Sequence, residues 1–359
     1  MDWVSHGKRE TSYQDSYVSI NISLRRIARL MLAACLYYSG ILRTLMLLRR
    51  RLLGRREAYV LCLHRVLSDA QTANAGSLPG MVLEESTFAA LLEFLRRHFT
   101  VISLQEFLQE EPGRRASSKP LCLITFDDGW KDNYTTAFRW LRKFDLPAVV
   151  FLVTGKIGSK EGFWVEHLSW AWRDSARSSL LLSQLRTTLG VAIKDLYDAV
   201  ERLKQMPAET RARILAALDV EQPGAEAQRS DAMLAWEDIL TMERGGVACE
   251  SHTDTHPLLV YEDDVTVARE LQTSKSILEA KLGRKVRAFA YPNGAWDGRV
   301  RSMVQDAGYE CAFTTQRGWY HLGDDRYTIP RIMLHEGKVT GLSGKFSPAM
   351  LSLSLMGWR

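Results

Sequence analysis

The sequence lacks paired cysteines, and it lacks an apolar run of the length that would cross a membrane. Its five cysteines are scattered and include no CxxC pair: Cys35, Cys62, Cys122, Cys249 and Cys311. This pattern implies neither a disulfide framework nor a zinc knuckle. Because three of the five lie in apolar, strand-like runs, they favour a reducing compartment. We therefore expect a protein of the cytoplasm or of the inner face of the membrane.

Acidic residues are missing from the N-terminal segment, where nine arginines lie between residues 24 and 57. The longest uncharged stretch of this segment, residues 30–42, is shorter than the roughly 20 residues that a spanning helix needs. On a helical wheel, residues 24–53 form one arginine-rich face and one apolar face. We predict a basic amphipathic helix that contacts an anionic membrane or packs on its own domain. Arg29 interrupts the apolar stretch before Cys35, so we expect no cleavable signal peptide.

The rest of the chain has the composition of a folded globular protein, with 46% hydrophobic and 25% charged residues and a net charge of +5. We expect no nucleic-acid partner. Short apolar runs alternate with helical patterns, which predicts a parallel α/β sheet or barrel. The runs are residues 59–63, 100–103, 121–126, 148–153, 247–250, 286–291 and 310–314.

We divide the chain into a polar tail with the basic helix (residues 1–56), a main domain (57–345) and a C-terminal tail (346–359). About residues 166–240, the chain is helical and charged, and this breaks the alternation of strands and helices. We interpret this stretch as a helical insertion beside the sheet.

Two adjacent carboxylates, Asp127 and Asp128, directly follow one apolar run and precede Gly129. Both acids then lie at the carboxyl end of a strand, where parallel barrels carry their active sites. Neighbouring carboxylates repel each other, so the pair is costly unless a cation or a shared proton relieves the repulsion. A metal ion would relieve it. For this dipeptide alone, the alternative is an Asp-Gly turn with two solvated acids.

Two histidines, His252 and His256, follow another apolar run in the segment Ser-His-Thr-Asp-Thr-His-Pro. Histidines four residues apart face the same way on a helical turn, so both imidazoles can reach one ion. With one carboxylate, they give a three-ligand site with room for water. Paired histidines alone are often surface residues, and it is their combination with the Asp pair that favours a metal site.

A third element, residues 287–294, runs from a strand into a Pro-Asn-Gly turn. Such a turn can present a backbone N–H to a pocket, as the stabilisation of an oxyanion requires.

These three elements, in this order, resemble the polysaccharide deacetylase family, also called the NodB-homology domain or carbohydrate esterase family four. The resemblance extends over about residues 57–340 and is strongest to the bacterial exopolysaccharide branch. It implies a distorted parallel (β/α) barrel of about seven strands. Further segments that resemble the family are residues 151–154, the Phe163-Trp164 pair, Trp236, Gly245-Gly246 and residues 327–332.

The resemblance also implies the roles of individual residues. Asp128, His252 and His256 would bind one divalent metal ion, usually zinc, and Asp127 would be the general base for the attacking water. The Tyr291 N–H would stabilise the oxyanion. The substrate would be an N-acetylated sugar in a polysaccharide or a lipid-linked saccharide, and the products would be acetate and a free amino sugar.

The sequence departs from the family pattern at two positions. Ala290 occupies the place of an arginine that orients the catalytic aspartate in many members, so the orienting partner is not identified. The usual late histidine motif, which supplies the general acid, has only His335 as a loose counterpart. His64, in a segment that resembles the Tyr-His-Arg-Val element of circularly permuted relatives, is the preferred general acid. Alternatively, His64 only bonds a neighbouring carboxylate.

Two other functions fit the same fold. One is an amide hydrolase or deformylase that acts on a lipid-linked amino sugar or a small amide. The other is a glycan-binding barrel that has lost catalysis, which the complete set of Asp127 and three metal ligands disfavours.

Overall fold

The apolar runs of the sequence form one curled sheet in the structure, a computed structural model that describes residues 24–42, 44–45, 48, 57–68, 71–72, 75–109, 119–220, 232–321 and 323–356. Its central strands are apolar and buried at nearly every position, as expected for parallel strands covered on both faces. In chain order the strands are β1 (Glu57–Leu63), β2 (Arg65–Leu67), β3 (Val82–Glu84), β4 (Thr100–Val101), β5 (Leu121–Phe126), β6 (Ala148–Leu152), β7 (Val247–Ser251), β8 (Ala288–Ala290), β9 (Cys311–Phe313), β10 (Tyr320–His321) and β11 (Ile332–Met333).

Strands β1, β5, β6, β7, β8 and β9 lie side by side in this order, and all of these neighbours are parallel. The segment that contains β11 contacts both ends of this row: Ile329 bridges Phe313 in β9, and β11 pairs with β1. The sheet therefore curls until its seventh member lies between the first and the last. This confirms the predicted distorted parallel (β/α) barrel of about seven strands.

Helices cover the sheet and link its strands. Two of the helical patterns between the strands form α2 and α10, and α10 begins where the Asp263 side chain accepts a hydrogen bond from the Thr266 N–H at 2.7 Å. The helices are α1 (Leu24–Tyr38), α2 (Glu85–His98), α3 (Leu104–Leu108), α4 (Arg139–Phe144), α5 (Trp164–Trp172), α6 (Ser175–Leu189), α7 (Leu196–Lys204), α8 (Ala208–Ala217), α9 (Trp236–Arg244), α10 (Asp264–Leu282), α11 (Gly298–Asp306), α12 (Glu336–Val339) and α13 (Pro348–Leu355).

Helices α5 to α9 lie between β6 and β7, in the stretch interpreted as an insertion. Helices α5 to α8 share a small apolar core of their own, which includes Leu168, Leu181, Leu185, Val200 and Leu203. This core is separate from the one between the sheet and its covering helices.

The N-terminal helix is shorter than predicted, because α1 ends at Tyr38 and Gly40 has a left-handed backbone with a φ of 77°. One face of α1 packs on the C-terminal helix α13, with Leu30 and Ala33 among the buried side chains. Of the arginines assigned to this segment, Arg43, Arg49, Arg50, Arg51, Arg55 and Arg56 lie outside the described residues.

The predicted C-terminal tail, residues 346–359, is wrong over residues 348–355, which form α13. The Ser347 hydroxyl accepts a hydrogen bond from the Met350 N–H, and Pro348 occupies the first turn, where it needs no N–H partner. Every residue of α13 from Ala349 to Leu355 is buried, so the segment packs as a core helix.

No helix in the described ranges is both long enough and apolar enough to cross a membrane.

The turn after β8 gives a stability prediction. Gly294 has a φ of 69°, and a Cβ placed there would collide with the backbone and side chain of Thr315, whose own Cβ would lie at 2.7 Å. Gly294→Ala should therefore lower the free energy of unfolding by at least about 2 kcal/mol, measured by urea denaturation. The matched control is Gly298→Ala, where a Cβ would meet no atom within 4 Å. An equal effect of both substitutions would contradict this account.

Candidate active site and metal centre

The two carboxylates lie in a sharp turn at the carboxyl end of β5. The Asp127 N–H donates to the Leu63 carbonyl of β1 at 3.0 Å and so continues the strand by one residue. The chain then turns, because Asp128 and Gly129 have φ values of 77° and 80°. Both carboxylates are buried, with exposed fractions of 2% and 5%. Their position at the carboxyl edge of the sheet agrees with the sequence prediction.

The two histidines approach each other through a loop after β7, not through the helical turn assumed from their spacing. Thr253 and His256 both have left-handed backbone, with φ values of 69° and 63°. The Thr253 hydroxyl accepts a hydrogen bond from the His256 N–H at 3.0 Å and holds this loop closed. As a result, the His252 and His256 ring centroids lie 4.9 Å apart.

The predicted metal ligands are brought together. Asp128 Oδ1 lies 3.6 Å from His252 Nε2 and 3.5 Å from His256 Nε2. Ligand atoms about 2.1 Å from a tetrahedral zinc ion would lie about 3.4 Å from one another. The three side chains therefore fit one small divalent ion without rearrangement.

Neighbouring groups orient two of these ligands. The Trp130 indole N–H donates to Asp128 Oδ2 at 3.0 Å, which leaves Oδ1 facing the histidines. His252 Nδ1 lies 2.7 Å from the Ala290 carbonyl, which can only accept, so Nδ1 carries the proton and Nε2 keeps its lone pair. Trp130 is only 1% exposed, so its side chain acts from within the core.

The electrostatics of this group also suit a cation. Burial and the charge of Asp127 raise the pKa of Asp128 to about 8, while the hydrogen bond from Trp130 opposes this shift. Burial lowers the pKa of His252 and His256, so both imidazoles are neutral at pH 7. A divalent ion would relieve the repulsion between the two carboxylates and use the lone pairs of both histidines.

The orienting arginine missing at Ala290 is supplied by Arg331, which sequence reasoning did not find. Arg331 Nη1 donates to Asp127 Oδ1 at 2.7 Å, and Nη2 donates to Oδ2 at 2.6 Å. Burial would raise the pKa of Asp127, but the Arg331 guanidinium outweighs it and holds this pKa well below its usual range. The sequence contained one signal for this pairing. Arg331 lies between Pro330 and Ile332 in a strand-like run, and an arginine that is buried in a strand requires an acidic partner.

His64 lies beside Asp127, as the preferred general acid should. A ring nitrogen of His64, a carboxylate oxygen of Asp127 and the Cys62 sulfur lie within 4.8 Å of one another. Nδ1 of His64 is buried and has no hydrogen-bond partner among the described residues. Burial lowers the pKa of His64 to about 4. The imidazole is therefore neutral at pH 7 and has an unused nitrogen.

His335, the other candidate for the general acid, lies elsewhere. It precedes α12, and after burial, the charges that lower its pKa to about 4 are those of Lys338 and Arg29. No carboxylate of the site contributes to this shift, in contrast to His64, whose pKa responds to Asp127. The geometry thus favours His64.

The structure does not support the role predicted for the Tyr291 N–H. This group donates to the Phe313 carbonyl at 3.0 Å and so belongs to the pairing between β8 and β9. The side chain is fully buried, and its hydroxyl donates to the Tyr327 carbonyl at 3.0 Å. Tyr291 is therefore a structural residue here, because its N–H already has an acceptor.

The fold and the site define an α/β barrel with a candidate metal centre, and the comparison of sequences identifies the family. Residues 114–312 match the sequence profile of the family described as polysaccharide deacetylase. The chain belongs to this family, which confirms the resemblance found from its motifs.

Individual relatives are distant. YxkH of Bacillus subtilis (strain 168), named as a polysaccharide deacetylase, is 21% identical over 233 residues, which cover 65% of this chain and 58% of that protein. The chain thus spans less than two thirds of the length of this relative.

Solved structures share the fold at low identity. The deacetylase PplD of Streptococcus pyogenes, solved with acetate, is 18% identical with a TM-score of 0.53, and the match covers 81% of this chain and 99% of that one. IcaB of Ammonifex degensii is also 18% identical, with a TM-score of 0.54 and coverage of 85% and 98%.

The contact between Trp130 and Asp128 gives a prediction for metal binding. Trp130→Phe removes the donor that holds Oδ2, so Asp128 should be less ordered and harder to ionise. We expect the affinity for Zn²⁺ at pH 7 to fall about 10- to 100-fold, measured by competition with a chromophoric chelator. The control is Trp319→Phe, which removes an indole hydrogen bond to the Leu355 carbonyl at 2.8 Å. Unchanged Zn²⁺ affinity in Trp130→Phe would refute the orienting role.

Proposed function

We propose that this protein is a metal-dependent hydrolase that removes N-acetyl groups from an N-acetylated sugar in a polysaccharide or a lipid-linked saccharide. The observation that carries the proposal is the pair of neighbouring carboxylates with separate partners. Asp128 faces two neutral histidines, whereas Asp127 is held by Arg331. One carboxylate is therefore arranged to bind a cation, and the other remains available to accept a proton.

In this proposal, Asp127 accepts a proton from the water that attacks the amide carbonyl. Arg331 holds both oxygens of Asp127 and keeps the carboxylate ionised at neutral pH. A divalent ion on Asp128, His252 and His256 would supply a Lewis acid for this chemistry. The same arginine makes Asp127 a weak base, so the carboxyl releases the proton readily.

His64 is the group that can receive this proton. It starts the reaction neutral, it lies beside Asp127, and its Nδ1 has no partner among the described residues. An imidazole that takes up the proton becomes an acid strong enough to protonate the leaving amine. Acetate and a free amino sugar are then the products. That PplD was solved with acetate is in keeping with this product.

The catalytic roles can be tested by acetate release from N-acetylglucosamine oligosaccharides and lipid-linked saccharides. Asp127→Asn and His64→Gln should each lower kcat by about 10²- to 10⁴-fold, the usual contribution of a positioned acid or base. His335→Gln is the matched control, because this histidine is also partly buried with a lowered pKa but lies away from the site.

Removal of the metal with a chelator should abolish acetate release, and added Zn²⁺ should restore it. A wild-type protein that releases acetate from none of these substrates would refute the proposal. If the protein is active but His335→Gln is the more damaging histidine substitution, the assignment of His64 is wrong.

We further propose that the N-terminal helix holds the protein on an anionic membrane surface. One face of α1 packs on α13, and the opposite face exposes large apolar side chains to solvent. Their exposed fractions are 67% for Met31, 48% for Leu32 and 80% for Tyr38, and the next turns add Ile41 at 45% and Leu48 at 50%. The sequence has no acid between Asp15 and Glu57 to offset the nine arginines there.

An exposed apolar face in a segment that carries nine arginines and no acid suits the interface of the cytoplasmic leaflet, which carries anionic lipids. The protein would thus be peripheral at the inner face of the membrane, where a lipid-linked saccharide is also accessible.

Sedimentation with vesicles tests this location. The full-length protein should sediment with vesicles that contain phosphatidylglycerol, and Leu32→Asp combined with Tyr38→Asp should lower the bound fraction several-fold. Leu180→Asp is the control, because Leu180 is 58% exposed but lies on α6 in the insertion. Equal binding of the double variant and the wild type would exclude this surface.

A further inference from the structure

The helical insertion places a lysine at the edge of the active site. Lys204 is the last residue of α7, and its Nζ donates to Asn293 Oδ1 at 3.2 Å. Asn293 lies in the turn after β8, three residues beyond the Ala290 carbonyl that orients His252. The lysine therefore contacts a turn that belongs to the metal centre, although it comes from a different part of the fold.

A second cation of the insertion also lies near the site. Arg211 of α8 is only 5% exposed, and its guanidinium lies 5.0 Å from the ring centroid of Trp164. Trp164 directly follows Phe163, whose ring centroid lies 5.0 Å from that of His256. Arg211 thus reaches the neighbourhood of a metal ligand through two aromatic side chains.

The guanidinium of Arg211 is not fully satisfied. Its Nη1 is buried and has no hydrogen-bond acceptor among the described residues. Burial lowers the pKa of Arg211, and among the described residues the acid whose charge opposes this shift is Glu262, whose carboxylate already accepts the Ala208 N–H at 2.7 Å. A buried donor without an acceptor is unfavourable, so a group that accepts from Nη1 would stabilise this arrangement.

The charge of Lys204 is also only weakly compensated. The acid that pairs with Lys204 at 2.8 Å is Glu201, whose side chain is 58% exposed, and so this pair is weak. Two cations beside a metal site oppose metal binding, and an anion bound beside them would offset this charge.

We propose that Lys204 and Arg211 form a subsite for an acidic group, a carboxylate or a phosphate, that the saccharide substrate carries. This inference rests on the proposed deacetylase function and specifies its substrate class. Guanidinium and ammonium groups are the usual partners of both anions. The acidic group belongs either to a uronic acid of the glycan or to the phosphate of a lipid-linked saccharide.

Acetate release from three substrates, measured with the metal-loaded protein, distinguishes a uronic acid from a lipid-linked phosphate. The first is a neutral tetrasaccharide of N-acetylglucosamine. The second is a tetrasaccharide that alternates N-acetylglucosamine with glucuronic acid, and the third is N-acetylglucosamine diphosphate on a short prenyl chain. The subsite predicts a higher kcat/KM for at least one acidic substrate than for the neutral one. The acidic substrate with the higher kcat/KM relative to the neutral one identifies which anion the subsite binds.

The variants test whether the two cations cause this preference. Lys204→Gln and Arg211→Gln should each lower the ratio of acidic to neutral kcat/KM about tenfold, as the loss of one charge-assisted hydrogen bond would. Lys194→Gln is the matched control, because this exposed lysine also belongs to the insertion, and it should leave the ratio unchanged. Raising the salt concentration should weaken the preference in the wild type.

Two results would overturn the inference: a wild type that does not prefer either acidic substrate, or an equal loss on acidic and neutral substrates in both variants. Lys204 is on the edge of the site with a side chain 21% exposed, so its variant should fold even if that of Arg211 does not.

If no glycan is deacetylated at all, the proposed function fails, and calorimetric binding of the glucuronic-acid tetrasaccharide tests the subsite alone. Weaker binding by Lys204→Gln supports the subsite, and equal binding excludes it.

Discussion

The ion pair between Asp127 and Arg331 connects the candidate active site to the closure of the barrel. Asp127 directly follows β5, and Arg331 lies in the segment that pairs with both β9 and β1. Both side chains are almost completely buried, at 3% and 0% exposure. A buried pair is tolerated only when its geometry is good and its remaining hydrogen bonds are made. Here the guanidinium also donates to the Thr314 carbonyl at 2.8 Å and to Thr125 Oγ1 at 3.2 Å. The carboxylate is therefore placed correctly only when the last segment of the barrel is in its place.

This pair also explains how two adjacent aspartates acquire opposite properties. Arg331 keeps Asp127 ionised, and the ionised Asp127, together with burial, makes Asp128 hard to ionise. Repulsion between the two carboxylates thus raises the pKa of Asp128 and not that of Asp127. Because Asp128 also has two neutral imidazoles beside it, this group strongly prefers a cation. The arginine on one carboxylate increases the need for a metal on the other.

The sequence predicts the barrel and the metal ligands because both follow from local patterns. Apolar runs define the strands, and the acids and histidines that follow two of these runs must meet at the same edge of a parallel sheet. Arg331 was not predicted, because its partner lies 204 residues earlier and the two meet only after the sheet curls. The reasoning from helical spacing was wrong for His252 and His256, because left-handed residues, which a one-dimensional pattern does not reveal, shape that loop.

The two ends of the chain also have structure that local sequence patterns do not predict. The apolar pattern near the N-terminus predicted a helix, but not that Gly40 would end its first part or that one face would pack on α13. The sequence predicted a tail at 346–359. Instead, Ala349, Met350 and Leu353 are buried against α1, from the opposite end of the chain, and Leu351 and Leu355 belong to the main core. Such mutual burial of two distant segments has no signature in either segment alone.

The backbone of the site carries strain that the rest of the described chain largely avoids. Six non-glycine residues of the described ranges have a positive φ, and four of them surround the site: Asp128, Thr253, His256 and Asn293. Each such conformation costs about 1 kcal/mol or more and persists only where surrounding contacts enforce it. For Asp128 and His256, the contacts that enforce it are those of Trp130 and Thr253. The strain places three ligand atoms from two loops around one point. The stability lost in these turns is therefore a direct consequence of bringing one carboxylate and two imidazoles together at the edge of a parallel sheet.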